Sequence, residues 1–127
     1  MKLYGIGTDI VKVNRIKKLL KKDKFITRIF NNEEIKRCKR TKNFHNCFSK
    51  RFAAKEAFSK ALGTGISRGI NFNEIIILNE NNGRPFIKLM NKKKKNIEKK
   101  LRKKKYKISI SLSDEDNYAV AFVTISI

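Results

Sequence analysis

The stretch from Phe44 to Leu62 does most to limit the folds open to this chain. At about 100° per residue, Phe48, Phe52, Ala54, Ala57, Phe58, Ala61 and Leu62 spread over much of one helix's circumference. A helix apolar nearly all round needs partners on several sides, so the spacing predicts a central helix, with Gly63 placed as its C-terminal stop. The flanking segments supply those partners. Residues 2–10 (KLYGIGTDI) read as a short strand ending near Asp9. Asn14 is placed to cap a helix running to about Lys22, and Asn31 or Asn32, followed by Glu33 and Glu34, marks another helix start. Residues 72–79 and 84–90 read as strands joined by Asn81-Asn82-Gly83, a hairpin-type turn. A very basic, peripheral helix is expected over 91–105, then two strands at about 106–112 and 118–126. The expectation is a single domain over 1–127 of α+β class, its largely antiparallel sheet packed on the long central helix.

Charge narrows the function classes. Thirty-two Lys and Arg face 11 Asp and Glu, a net charge of +21, which attracts acidic partners. Part of this excess is compositional, because Lys (24), Ile (17) and Asn (13) are all encoded by A/T-rich codons. Lys also outnumbers Arg 24 to 8, although Arg is the better fork for reading phosphates and bases. The hydrophobic fraction, 40 %, is too high for a disordered basic tail. No apolar run approaches the roughly 18 residues of a membrane span. Asp9 interrupts the only apolar stretch near the start, so no signal-peptide pattern is read there. Cys38 and Cys47 read as two isolated thiols without metal spacing, which suits a reducing cytoplasm better than a disulfide scaffold. A nucleic-acid-binding module would also fit +21 and the run 92–105. That run has no interleaved aromatics and no recognised RNA- or DNA-binding motif, and the module gives the acids no purpose, so no specific nucleic acid is expected.

Two acids sit where packing would not place them. Asp9 follows apolar and small strand residues, and its bland alternative is a turn or cap. Glu56 lies on the edge of the central helix, one turn before Lys60, where a weak i,i+4 pair is the bland alternative. Together, on a strand and a central helix, two carboxylates suit one Mg²⁺, which completes its octahedron with waters and substrate phosphates. Arg51, Lys55 and Lys60 on the same helix would add cations for a phosphate-rich ligand. Other motifs carry less. The stretch 63–69 (GTGISRG) is neither a GxxxxGK[ST] nor a GxGxxG motif, and the sole histidine, His45, reads as a surface or helix-start residue.

The segments 5–11 (GIGTDIV), 51–65 (RFAAKEAFSKALGTG) and Asn82-Gly83-Arg84-Pro85 resemble holo-[acyl-carrier-protein] synthase, the short bacterial-type 4′-phosphopantetheinyl transferase family. The resemblance spans essentially the whole chain. It implies an enzyme of fatty acid biosynthesis that moves the 4′-phosphopantetheine arm of coenzyme A to a serine of apo-acyl carrier protein, releasing adenosine 3′,5′-bisphosphate. It implies a compact α+β homotrimer with active sites between subunits. The family's Mg²⁺ carboxylates fall on Asp9 and Glu56. Lys60 matches a phosphate contact, and Arg51 a position near the nucleotide's phosphates. Gly63 falls within the central block of the binding motif. The turn Asn82-Gly83-Arg84-Pro85 matches one lying against the adenosine end, where the family more often has Lys than Arg. Arg15 and Arg28 match contacts to the acidic helix of the carrier, with Lys22 and Lys24 keeping the sign of charge between them.

One departure concerns the proton acceptor. After Ser109-Ile110-Ser111 many members carry a histidine, whereas this chain has Leu112. The expected base is then a water at the Asp9–Glu56 metal, with Asp114 or Glu115 as the second choice.

Overall fold

The computed structural model describes residues 1–63 and 71–127. The part of the glycine-rich stretch from Thr64 to Gly69 lies outside them.

Strand β1 (Leu3–Lys12) runs further than the sequence suggests, so Asp9 lies inside the strand opposite Ala121 rather than at its end. Helix α1 (Val13–Leu19) follows without a side-chain cap, its N-cap being Lys12 and not Asn14. A helix the sequence reading missed, α2 (Asp23–Ile29), comes next. The next start is as expected: in α3 (Asn32–Lys39) Asn31 accepts from the Glu33 amide at 2.9 Å, while Glu34 Oε1 accepts from the Asn31 amide at 3.0 Å. That reciprocal pair is a capping box, which satisfies donors the first turn would otherwise strand.

The central helix α4 spans Phe44–Leu62, with Gly63 capping it at φ 79°, a left-handed angle that favours glycine. A 3₁₀ turn over Phe72–Glu74 leads into β2 (Ile75–Asn79), which pairs with β3 (Pro85–Leu89). Gly83, at φ 90°, makes the turn between them possible. Helix α5 (Asn91–Leu101) is shorter than the basic run and stops before Arg102. β4 (Lys107–Asp114) and β5 (Tyr118–Ser126) close the chain.

The architecture is the expected α+β class. A three-stranded antiparallel sheet in the order β1-β5-β4 and the β2-β3 hairpin surround α4. The inner face of the larger sheet, with Val11, Ala119, Ala121, Val123 and Ile125, joins Phe48, Phe58, Ala57 and Leu62 of α4 in the core. The glycines of β1 make the contact intimate. A Cβ on Gly7 would overlap the Ala57 carbonyl, and one on Gly5 would overlap that of Ala61. The strand therefore lies almost directly on the helix backbone, and Asp9, two residues past Gly7, arrives beside the last turns of α4.

Two expectations about polar side chains are corrected here. Cys38 and Cys47 are not separate thiols: they form a disulfide, with Cα atoms 5.4 Å apart, joining the end of α3 to the first turn of α4. They stand nine positions apart in the chain, and the Thr41 amide donates to the Cys38 carbonyl at 3.0 Å in the turn that folds the chain back. Lys55 does not join the cations of a ligand site. It is fully buried, and its Nζ donates to Glu34 Oε1, Ile29 O and Phe72 O, each at 2.7 Å. Burial still pushes the Lys55 ammonium down to about 8 against the opposing pull of Glu34.

Candidate active site

Asp9 and Glu56 come near enough for the charge of Asp9 to act on Glu56. Lys60 Nζ donates to Asp9 Oδ1 at 3.3 Å and to the Thr8 carbonyl at 2.9 Å. Its partner is thus Asp9 across the strand, not Glu56 one turn before it. Partial burial raises the Asp9 carboxyl from its ordinary value, against the hydrogen bond and charge of Lys60 and the charge of Arg15. Glu56 is raised by burial first and by the Asp9 charge second, with Lys60 and Arg15 opposing. Among the described residues Glu56 accepts no hydrogen bond and makes no ion pair of its own. Two like charges are held together by rigid elements with less than full compensation.

This donor set fits one kind of metal. No group of three or more His, Cys, Asp or Glu side chains gathers among the described residues, so a closed zinc site is not built here. Two carboxylates with open space beside them suit a hard cation that keeps water and substrate oxygens in its shell.

Glu56 opens into a cavity of about 780 Å³. Phe25, Ile29, Phe52 and Phe72 give it an apolar wall, and Lys22, Lys24 and Arg28 give it a basic rim. The sequence reading had the rim but not the wall. The spacing of Phe25 and Ile29, four residues apart in a basic segment, was the available signal. Arg15, exposed on α1, lays its guanidinium 5.8 Å from the centre of the Phe52 ring, on the same side of the molecule.

The remaining site residues of the sequence reading gather elsewhere. Arg51 is buried: Nη2 donates to Asn79 Oδ1 at 2.8 Å, and Nη1 to the Cys47 carbonyl at 3.4 Å and Sγ at 3.2 Å. Among the described residues its Nε has no partner. Burial lowers the guanidinium to about 10, Glu34 opposing and Arg37 adding. Asn79 Nδ2 in turn donates to the Gly83 carbonyl at 2.9 Å, and the Arg84 amide donates to Asn82 Oδ1 at 3.0 Å. Arg51 is therefore wired through Asn79 to the turn Asn82-Gly83-Arg84-Pro85. A second depression of about 180 Å³ is lined by Arg37, Thr41, Lys50, Arg51, Asn79 and Asp114 among others, but not by Asp9, Glu56 or Lys60. One chain thus carries the two halves of its candidate site in separate depressions. Gly63 is seen as the C-cap of α4.

The second-choice bases do not reach the carboxylate pair. Asn46 Nδ2 donates to Asp114 Oδ2 at 2.8 Å, and Lys50 lies 3.1 Å from Oδ1. Burial alone would raise Asp114, yet these two partners hold it below its ordinary value. Glu115 is exposed in the β4–β5 turn. Leu112 stands in one row with Asp9, both paired to Ala121, and packs partly buried against the core.

Comparison with known proteins gives the family. A family model described as the 4′-phosphopantetheinyl transferase superfamily matches residues 5–123. The holo-[acyl-carrier-protein] synthase of Pelagibacter ubique is 45 % identical over 123 residues, covering 97 % of this chain and 96 % of that protein. The crystal structure of the synthase from Neisseria meningitidis superposes with a TM-score of 0.89 at 38 % identity, covering 98 % of this chain and 99 % of the other. That from Bacillus anthracis, in complex with CoA (3′,5′-ADP), gives 0.81 at 34 % identity, with 99 % and 98 % covered. With the family model matched across nearly all of its length and its central helix, strands and hairpin superposing on solved members, the chain belongs to the 4′-phosphopantetheinyl transferase superfamily.

Proposed function

We propose that this protein transfers the 4′-phosphopantetheine arm of coenzyme A to a serine of apo-acyl carrier protein, releasing adenosine 3′,5′-bisphosphate, as one catalytic domain over residues 1–127. The observation that carries the reading is the under-compensated pair Asp9 and Glu56, of which Glu56 lines a cavity with a basic rim. The serine oxygen attacks the phosphorus that bears the pantetheine arm, the P–O bond of the diphosphate breaks, and the bisphosphate leaves. No enzyme nucleophile is needed, so the residues position and neutralise. Asp9 and Glu56 would hold a Mg²⁺, which supplies positive charge to the donor's diphosphate. Lys60, fixed by Thr8 and Asp9, presents its ammonium beside the same place. With Leu112 unable to accept a proton and Asp114 already engaged, a water held beside Asp9 and Glu56 would take the serine's proton.

Arg51, with an unsatisfied buried Nε, and the turn Asn82-Gly83-Arg84-Pro85 suit the nucleotide end of coenzyme A. Arg15, Lys22, Lys24 and Arg28 suit the acidic helix of the carrier. The separation of these two depressions within one chain suits the homotrimer that the resemblance implies, in which a neighbouring copy would bring the nucleotide half to the carboxylate half. The outer face of the larger sheet offers the apolar surface for that contact, with Ile6 57 %, Ile10 64 % and Phe122 45 % exposed. No helix of the described residues is long and apolar enough to cross a membrane. We place the enzyme in the cytoplasm with its two substrates.

The deciding experiment is mass spectrometry of apo-carrier incubated with the protein, coenzyme A and Mg²⁺. The carrier gains the mass of the arm, and the gain disappears with chelator. An unchanged carrier mass at full enzyme concentration overturns the reading.

A further inference from the structure

The residues of the proposed reaction leave the densest charge on the molecule without a task. Helix α5 touches the body along Lys93, Ile97 and Leu101, spaced four apart and all buried. Lys92, Lys94, Lys95, Lys99 and Lys100 are exposed, as are Arg102 to Lys105 beyond the helix end. From Lys92 to Lys105 ten basic residues face a single acid, Glu98. Among the described residues, none of those exposed cations forms an ion pair. Lys95 and Lys99 even sit at the i,i+4 spacing where like charges destabilise a helix. Helix stability alone does not account for this face.

Its place in the fold relates it to the carrier. A depression of about 630 Å³ is lined by Thr27 of α2, Asn73 of the 3₁₀ turn, and Asn91 and Lys92 at the start of α5. Asn73 also lines the cavity into which Glu56 opens. The two depressions share Asn73, so the rim of Lys22, Lys24 and Arg28 lies on one side of it and Glu74 and Lys92, the latter at the start of α5, line the other. We infer that the outward face of α5 is a steering surface for the acidic carrier protein, which raises the rate of encounter with the α2 ridge. This inference rests on the transfer activity proposed above. Clustered surface charge acts on an oppositely charged partner mainly through the association rate, and salt screens it within about 8 Å at physiological ionic strength. The exposed face of α5 carries no aromatic residue for stacking on bases, which favours a protein partner over RNA.

The test is stopped-flow association of fluorescently labelled apo-carrier with the full protein and with a variant carrying Lys94→Gln, Lys95→Gln, Lys99→Gln and Lys100→Gln. At low ionic strength the variant's association rate constant is expected to fall about five- to tenfold. The difference should vanish near 0.5 M salt (about a 4 Å screening length), while the dissociation rate, kcat and the KM for coenzyme A stay unchanged. An unchanged association rate at low salt overturns the inference, as does a loss carried by faster dissociation. Binding of a mixed-sequence RNA oligonucleotide at physiological salt that the variant loses, with carrier association unaffected, reassigns the face to nucleic acid and also overturns it. Failure of the native protein to modify the carrier at all is a separate outcome, which removes the transfer reading and this inference with it.

Discussion

Lys55 and Glu56 are neighbours on one helix, and the structure treats them in opposite ways. Lys55 has no exposure and three acceptors at 2.7 Å. The Glu34 carboxylate that faces it is also complete, since Oε2 accepts from the Ile77 amide at 3.1 Å. Through this one ammonium, α4 fastens the end of α2, the start of α3 and the 3₁₀ turn. Glu56, half-buried, has no such partners among the described residues and lies under the repulsion of Asp9. A buried charge with every donor used is a fold device. A half-buried charge left short of partners beside another of the same sign makes sense when something outside the chain completes it.

The sharpest way to break the comparison is to neutralise each side in turn. Asp9→Asn or Glu56→Gln should reduce transfer at least about a thousandfold, roughly 4 kcal/mol, with the thermal midpoint kept. Transfer within tenfold of the native rate, read by the carrier's mass, would remove both residues from the chemistry. Lys55→Met should behave in the opposite way, costing about 3 to 5 kcal/mol in urea unfolding because Glu34 is left buried and unpaired. Adding Glu34→Gln should restore much of that loss, because it removes the stranded charge while keeping an amide oxygen as acceptor, which a purely volumetric effect of the Lys55 change would not allow.

Arg15 lies between the two regimes. It is exposed, stacked over Phe52, and its charge opposes the upward shifts of both Asp9 and Glu56. Arg15→Glu should raise the KM for carrier about tenfold, near 1.4 kcal/mol, while the KM for coenzyme A holds. A fall in kcat with both KM values unchanged would move Arg15 from partner docking to the reacting centre.

What the sequence makes legible follows from the range of the interactions. The limits of α4 and β5, the Asn31 start and the Gly83 turn depend on neighbours within one or two turns of chain, and all stand as expected. The role of Lys55 depends on acceptors at Ile29, Glu34 and Phe72, which no local pattern connects, so it was grouped with the ligand cations. The disulfide needed the fold-back after α3. Helix α2 was hidden because Phe25, Ile26 and Ile29 are brief apolar marks in a basic stretch. Asp9 and Glu56 were visible as acids out of place that together suit one Mg²⁺; the resemblance to a family assigns them the same role, and Gly5 and Gly7 supply the physical reason they can approach.

The smallest effect tests whether Glu56 really is left short of partners. Its folded-state pKa is raised above the ordinary 4.5, so between the two values the folded chain binds more protons than the unfolded one. Stability contributed by this carboxyl is therefore greatest in acid and falls as pH rises through that window, which leaves the metal-free protein carrying the full cost at pH 7. Glu56→Gln should then stabilise the chelated protein at neutral pH by less than about 1 kcal/mol, since a half-exposed carboxylate is well screened. The gain should shrink to nothing as pH falls below the ordinary carboxylate value. Mg²⁺ should reverse the order, because a cation that binds only the folded pair raises the urea midpoint of the native protein and not that of the variant. If the native midpoint ignores Mg²⁺ at millimolar concentration while Glu56→Gln still stabilises, the two acids repel without holding the ion, and their contrast with Lys55 loses its chemical meaning.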